Sequence, residues 1–139
     1  MESLELLRKQ HYELLDIAAA LSLHLQIDRI AETADAIFAL LSQLGGGLRI
    51  HLSQEDRGLY PLLLEGRDET AKKLVREFMD EVGGLSARSR RYLLRWSVPR
   101  LIAEHPRDFA RETRDLLQEL SSRIEREEEE LYPLLEKGE

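Results

Sequence analysis

The sequence predicts an all-α fold, built as an antiparallel up-down-up-down four-helix bundle. Apolar residues recur at steps of three or four through nearly the whole chain, the period of helices with one buried face. No segment alternates apolar and polar residues as a half-buried strand would. The breaks between periodic segments are short, so consecutive helices are expected to fold back on one another. The 139 residues are expected to form a single domain, 1–139, large enough to bury its own core.

The first helix is expected over about 2–25, where Leu4, Leu7, His11, Leu14, Leu15, Ala18, Leu21 and Leu25 share one stripe. "QIDRI" breaks the pattern, with Asp28 as the expected N-cap of a second helix over about 29–64. Its stripe is Ile30, Ala34, Ile37, Leu41, Leu44, Leu48, His51, Leu52, Glu55 and Leu59. Gly45, Gly46 and Gly47 interrupt the composition without shifting this phase. One continuous helix is therefore expected through them, at about 1 kcal/mol for each glycine relative to alanine. Small residues there would let a neighbouring helix approach closely, or mark a kink. Pro61 is expected to end or bend the helix and Gly66 to stop it.

A third helix over about 68–96 carries Leu74, Phe78, Val82, Leu85, Ser89, Tyr92 and Trp96 on one face. "SVPRLIAEHP", with two prolines, reads as a connector holding at most a short helical turn. The fourth helix, about 107–136, runs through Phe109, Thr113, Leu116, Leu120, Arg123, Ile124, Glu127 and Leu131 to Pro133. Trp96 is expected to plug the core between the third and fourth helices. His24, His105 and most of the acidic run 125–130 are expected at the surface.

At 42% hydrophobic and 34% charged, the chain has the balance of a folded protein, not a disordered one. A formal charge of −7 argues against a general nucleic-acid or anionic-membrane surface, both of which need a basic face. The basic run "RSRRYLLR", 88–95, reads as a solvated helix face. The apolar face of "LLRW", 93–96, is a candidate homodimer surface. The absence of cysteine excludes disulfides, zinc–thiolate sites and thiol catalysis. No apolar run approaches the roughly 20 residues of a membrane span. "MESLELLRKQHYELL" is too charged for a signal peptide, so a cytoplasmic location is expected.

The second and fourth helices end alike, in "LYPLLLE" and "LYPLLEK". A shift of 72 residues (132 − 60) superimposes Tyr60 on Tyr132, Leu52 on Ile124, Glu55 on Glu127 and Asp56 on Glu128. The same shift puts His51 on Arg123. The chain thus reads as two related helix hairpins, with Tyr60 and Tyr132 expected to pack at the bundle's end beside their prolines.

His51 and Glu55 stand one turn apart on one helix face. Imidazole nitrogen beside carboxylate oxygen suits zinc, iron or manganese. In a four-helix bundle, inward carboxylates from facing helices can bridge two ions while histidines cap them. Glu55 and Glu127 are candidates for such a pair, and His11 lies on the apolar stripe of the first helix.

On "RKQHYELL", "LRIHLSQEDRGLYPLL" and "LSSRIEREEEELYPLL", the chain resembles the hemerythrin-like family, the HHE cation-binding domain, over nearly its whole length. The resemblance implies an oxo-bridged diiron centre that binds dioxygen, nitric oxide or related small molecules. Carried over by position, His11, His51, Glu55 and Glu127 match its metal ligands. Two positions depart. Arg123 stands where the fourth helix should supply histidine, and Val82 where the third should, with Glu81 retained beside it as a further candidate ligand. His24 cannot substitute, lying 13 residues beyond His11, roughly 20 Å along a helix; His105 lies 18 residues before Arg123, roughly 27 Å on the same rule. Arginine cannot ligate a metal, but its guanidinium can pair with buried carboxylates in place of an ion. The expectation is a degenerate diiron site, holding at most a residual or mononuclear metal with iron as the implied cofactor, in a small-ligand-binding or regulatory module. Two alternatives accompany it: a functional diiron protein, and a metal-free interaction module. No separate acid–base or nucleophile constellation points to an enzyme, although a metal-dependent oxidase stays open at this stage.

Overall fold

The computed structural model describes residues 2–137, with side chains described for 4–80 and 84–136. All regular structure among these residues is helical, with no strand. The first helix is Glu2–Ser22, and a 3-10 turn, Ile27–Arg29, lies in the connection after it. The second helix runs as Ala34–Gln54, a π-helical turn Glu55–Leu59, and Tyr60–Glu65. The third is Glu69–Arg95 and the short connector helix is Pro99–Glu104. The last runs as Pro106–Arg126, a second π turn Glu127–Leu131, and Tyr132–Lys137. No helix among the described residues is long and apolar enough to cross a membrane.

One local expectation is corrected and two are made specific. Asp28 caps nothing: it lies inside the 3-10 turn, and the second helix begins at Ala34. The chain there is held by burial of Leu25 and Ile30 instead, so apolar anchors fix this loop where a cap was expected. The connector forms a true helix with Pro99 in its first turn, where the missing N–H costs nothing. Pro61 does not end the second helix, which runs on to Glu65 as its expected range requires, and the last helix likewise runs past Pro133 to Lys137. Each proline lacks a donor and its ring crowds the carbonyl four residues back. In both helices the turn before it widens to the π pattern, with Tyr60 N–H bonding Glu55 O and Tyr132 N–H bonding Glu127 O. Gly66 does cap the second helix, and Asp68 caps the third, accepting from Ala71 N at 3.0 Å.

The glycine run is helical, with no glycine at positive φ among the described residues. A Cβ at Gly45 would lie 3.0 Å from Leu93 Cδ1 and one at Gly47 would lie 3.1 Å from Leu14 Cδ2. Those two glycines let the third and first helices approach. Gly46 has no such reason, since a Cβ there meets nothing within 4 Å.

Two apolar clusters form the core. The larger spans residues from Leu14 to Ile124 and includes Trp96, set edge-on against Phe109 at 5.1 Å. The smaller joins Leu4, Leu7, Val75 and Phe78 to Leu131 and Leu135. By their order along the helices, His11, Glu55 and Glu127 fall between the two clusters, while His51 and Arg123 sit at the edge of the larger one, just before Leu52 and Ile124, and all five are buried.

Candidate metal centre

Each inward polar residue reaches the interior because its stripe position would otherwise be apolar. His11 stands between Leu7 and Leu14 on the first helix, and His51 between Leu48 and Leu52 on the second. Glu55 and Glu127 open the two π turns, 72 residues apart (127 − 55), as the internal repeat requires. A π turn adds a residue to one helical turn and re-aims the side chains around it, and such turns recur at functional sites.

The side chains converge on one point. His11 Nε2 lies 3.1 Å from His51 Nε2 and 3.0 Å from Glu127 Oε1. His51 Nε2 lies 3.4 Å from Glu55 Oε2 and 3.8 Å from Glu127 Oε1. One ligand atom from each of His11, His51, Glu55 and Glu127 falls within 4.8 Å of all the others, a group able to hold a metal ion.

The outer nitrogens fix the tautomers. His51 Nδ1 meets Gln10 Oε1 at 2.8 Å, and His11 Nδ1 meets Glu128 Oε1 at 2.8 Å. Both partners are acceptors, so each Nδ1 carries hydrogen and each neutral ring turns the Nε2 lone pair inward. Two lone pairs facing each other at 3.1 Å repel unless a proton or a metal ion lies among them.

The tyrosines cross between the two halves of the repeat. Tyr60 O–H donates to Glu127 Oε2 at 2.7 Å, and Tyr132 O–H donates to Glu55 Oε2 at 3.1 Å. Arg123 Nη2 donates to the Tyr60 oxygen, and Arg123 Nε lies 3.8 Å from Glu127 Oε2. The guanidinium stacks over Phe78, 4.9 Å from the ring centre. Its Nε and Nη1 donate no hydrogen bond among the described residues. Glu127 thus turns Oε1 toward the histidines and Oε2 toward tyrosine and arginine.

Without a metal the cluster shares protons. Burial opposes charge on His51, but hydrogen bonds to Glu127 and Glu55 outweigh it and lift the ring to about 9. Burial, with the adjacent charge of Glu127, pushes Glu55 up to about 8. Burial would lift Glu127 too, yet hydrogen bonds from Glu55, His11 and His51, with the charge of Arg123, hold it well below the usual carboxylate range. Burial, then the nearby carboxylates, push both tyrosines upward, so their hydroxyls remain donors. Without an ion, Glu127 and Glu55 therefore favour the protonated form of His51.

The structure brings together His11, His51, Glu55, Glu127 and Arg123. His24 and His105 stay outside the cluster. The side chains of Glu81 and Val82 lie outside the described residues. Four participants were not anticipated. Tyr60 and Tyr132 do pack in the smaller cluster, as expected for the bundle's end, but their hydroxyls enter the site. The repeated spacing in "EDRGLY" and "EEEELY" was the available signal. Glu128 had been assigned to the solvated run, and Gln10 carries no mark in the sequence that separates it from any other helical glutamine.

No curated protein and no solved structure matches the chain. The family model described as the hemerythrin HHE cation binding domain matches residues 2–135. With four convergent histidine and glutamate ligand atoms at its centre, the chain belongs to the hemerythrin HHE cation-binding family.

Proposed function

We propose that this protein binds a single divalent metal ion, iron foremost, through His11, His51, Glu55 and Glu127, as a small-ligand-binding or regulatory module built on a degenerate diiron site. In this reading the four long helices form the antiparallel up-down-up-down bundle, which the pairing of the first helix with the second and of the third with the last supports. The observation that carries the proposal is the pair of inward Nε2 atoms at 3.1 Å, each ring held from behind by an acceptor. Donor separations of 3.0–3.4 Å suit ligands around one ion with bonds of roughly 2.0–2.2 Å. Bound there, a ferrous ion would supply redox chemistry and a coordination position for a ligand such as dioxygen or nitric oxide.

The chain's own residues then divide the work. Gln10 and Glu128 orient the two rings. Tyr60 and Tyr132 hold the second shell of the carboxylates, and the surrounding leucines exclude water. Arg123 supplies the fixed positive charge that a second ion would have given Glu127. A metal-free module remains the second reading, because Tyr60, Tyr132 and Arg123 give both carboxylates partners without any ion.

Metal content by mass spectrometry, after aerobic purification and after anaerobic iron loading, tests the choice, with visible spectra recorded alongside. The expected result is about one ion per chain, lost in His51→Ala. About two irons with oxo-bridge absorption would overturn the degenerate reading. No ion under either condition would leave the metal-free module.

A further inference from the structure

The second and third helices leave a groove of about 830 Å³ between them, on the side of the larger core cluster. Its size is that of a small-molecule site. Leu41, Leu93 and Trp96 give it an apolar wall. Gly45 and Gly46 also line the groove, and this accounts for Gly46, whose missing Cβ relieves no packing contact. A side chain there would project into open space that the groove keeps clear.

Two further observations point to an occupant with a charged head. Ser89 and Trp96 line the groove and are 5% and 2% exposed, yet Ser89 Oγ and Trp96 Nε1 have no hydrogen-bond partner among the described residues. Buried polar groups without partners are uncommon and mark a place where a ligand or water completes the bonding. Indole N–H can only donate, so the missing partner at Trp96 is an acceptor. Around the same groove stand Arg49, Arg57 and Arg90, none in an ion pair among the described residues. Three unpaired guanidinium groups on one apolar groove are notable in a chain of formal charge −7. Asp56 is the single acid among the residues lining it.

We propose that this groove binds an apolar organic carboxylate, the hydrocarbon body lying against Leu41 and Leu93 and the carboxylate oxygens accepting from the buried donors, Trp96 Nε1 and Ser89 Oγ, and from the arginine rim. The site is separate from the metal cluster, and the proposal does not depend on metal binding.

Trp96 is the chain's single tryptophan, so its fluorescence reports on the groove directly. The full chain, treated with chelator, is titrated with decanoate, naphthoate, decylamine and decanol, and calorimetry is run in parallel. At least one carboxylate is expected to bind with a dissociation constant below about 1 mM and to perturb Trp96 emission, whereas the amine and alcohol bind at least about tenfold more weakly. Gly46→Leu should abolish binding by filling the groove. Arg90→Ala should weaken the carboxylate about tenfold, the loss of one charge-assisted hydrogen bond. Thermal melts of both variants establish that they are folded, and Arg90→Ala, an exposed change, decides the matter if Gly46→Leu is not. A preference for decanoate or for naphthoate would identify the body as aliphatic or aromatic. Equal binding of amine and carboxylate, undiminished binding in folded Gly46→Leu, or no binding of either acid at about 1 mM would overturn the proposal.

Discussion

Arg123 shows how much one residue decides at this site. It is 5% exposed and holds Tyr60 and Glu127 from one side. Removing it strands carboxylate charge in the core, so Arg123→Ala should destabilise the metal-free protein by about 3–5 kcal/mol. Chemical denaturation of the chelated protein measures this, and a change near zero would mean that the guanidinium carries no such burden. Gln10 offers the complementary case. It accepts from His51 Nδ1 at 2.8 Å and donates to Gln54 at 2.8 Å, but lies too far out to ligate. Gln10→Ala should leave the fold intact while weakening metal binding about 10- to 100-fold, as loss of a ligand-orienting partner does. Competition against a chelator of known affinity reads this directly. Unchanged affinity would remove Gln10 from the site.

Among the elements, the second helix departs most from what propensity favours, and it does so twice. Its glycine run survives because the apolar stripe from Ile37 to Leu52 is buried on both sides of it, and tertiary packing outweighs local propensity. Gly46→Ala should therefore stabilise the protein by about 1 kcal/mol, since helical backbone and empty space both accept a Cβ. A thermal melt that falls would place Gly46 in a contact that the geometry does not contain. The π turn is the second departure. The periodicity of leucines carries straight through Glu55 and Pro61 in sequence, and nothing in it specifies i→i+5 bonding. The proline forces some adjustment of the preceding turn; packing of Leu59 and Tyr60 into the smaller cluster selects this one.

For the whole molecule, the buried cluster couples stability to pH. His51 and Glu55 hold protons more tightly folded than unfolded, at about 9 and about 8 against ordinary values of 6.5 and 4.5. The stability they contribute is complete below their ordinary values and is lost as pH rises through about 8 and then about 9. Glu127 acts in the opposite sense, since its lowered value makes its contribution present above the ordinary carboxylate range and lost as pH falls. The metal-free protein should accordingly melt at falling temperatures from about pH 7 to pH 10, and also under acid conditions. Melts of the chelated protein across this range check it; a flat alkaline limb would show that the cluster holds no shared proton.

The helical class, the phase through the glycines and the inward placement of His11, His51, Glu55, Glu127 and Arg123 were legible in the sequence alone. All of these are carried by spacing: one face of a helix is set by 3.6 residues per turn, and the 72-residue repeat relates the second helix to the last. The crossed tyrosine bonds, the Gln10 and Glu128 supports, the π turns and the open groove beside Gly46 were decided only in the tertiary structure. Each depends on where a side chain from one helix ends relative to another helix, within a few tenths of an ångström for a hydrogen bond. Periodicity places a residue on a face; the distance between facing helices, which decides whether Tyr60 reaches Glu127, arises only when the helices are packed together.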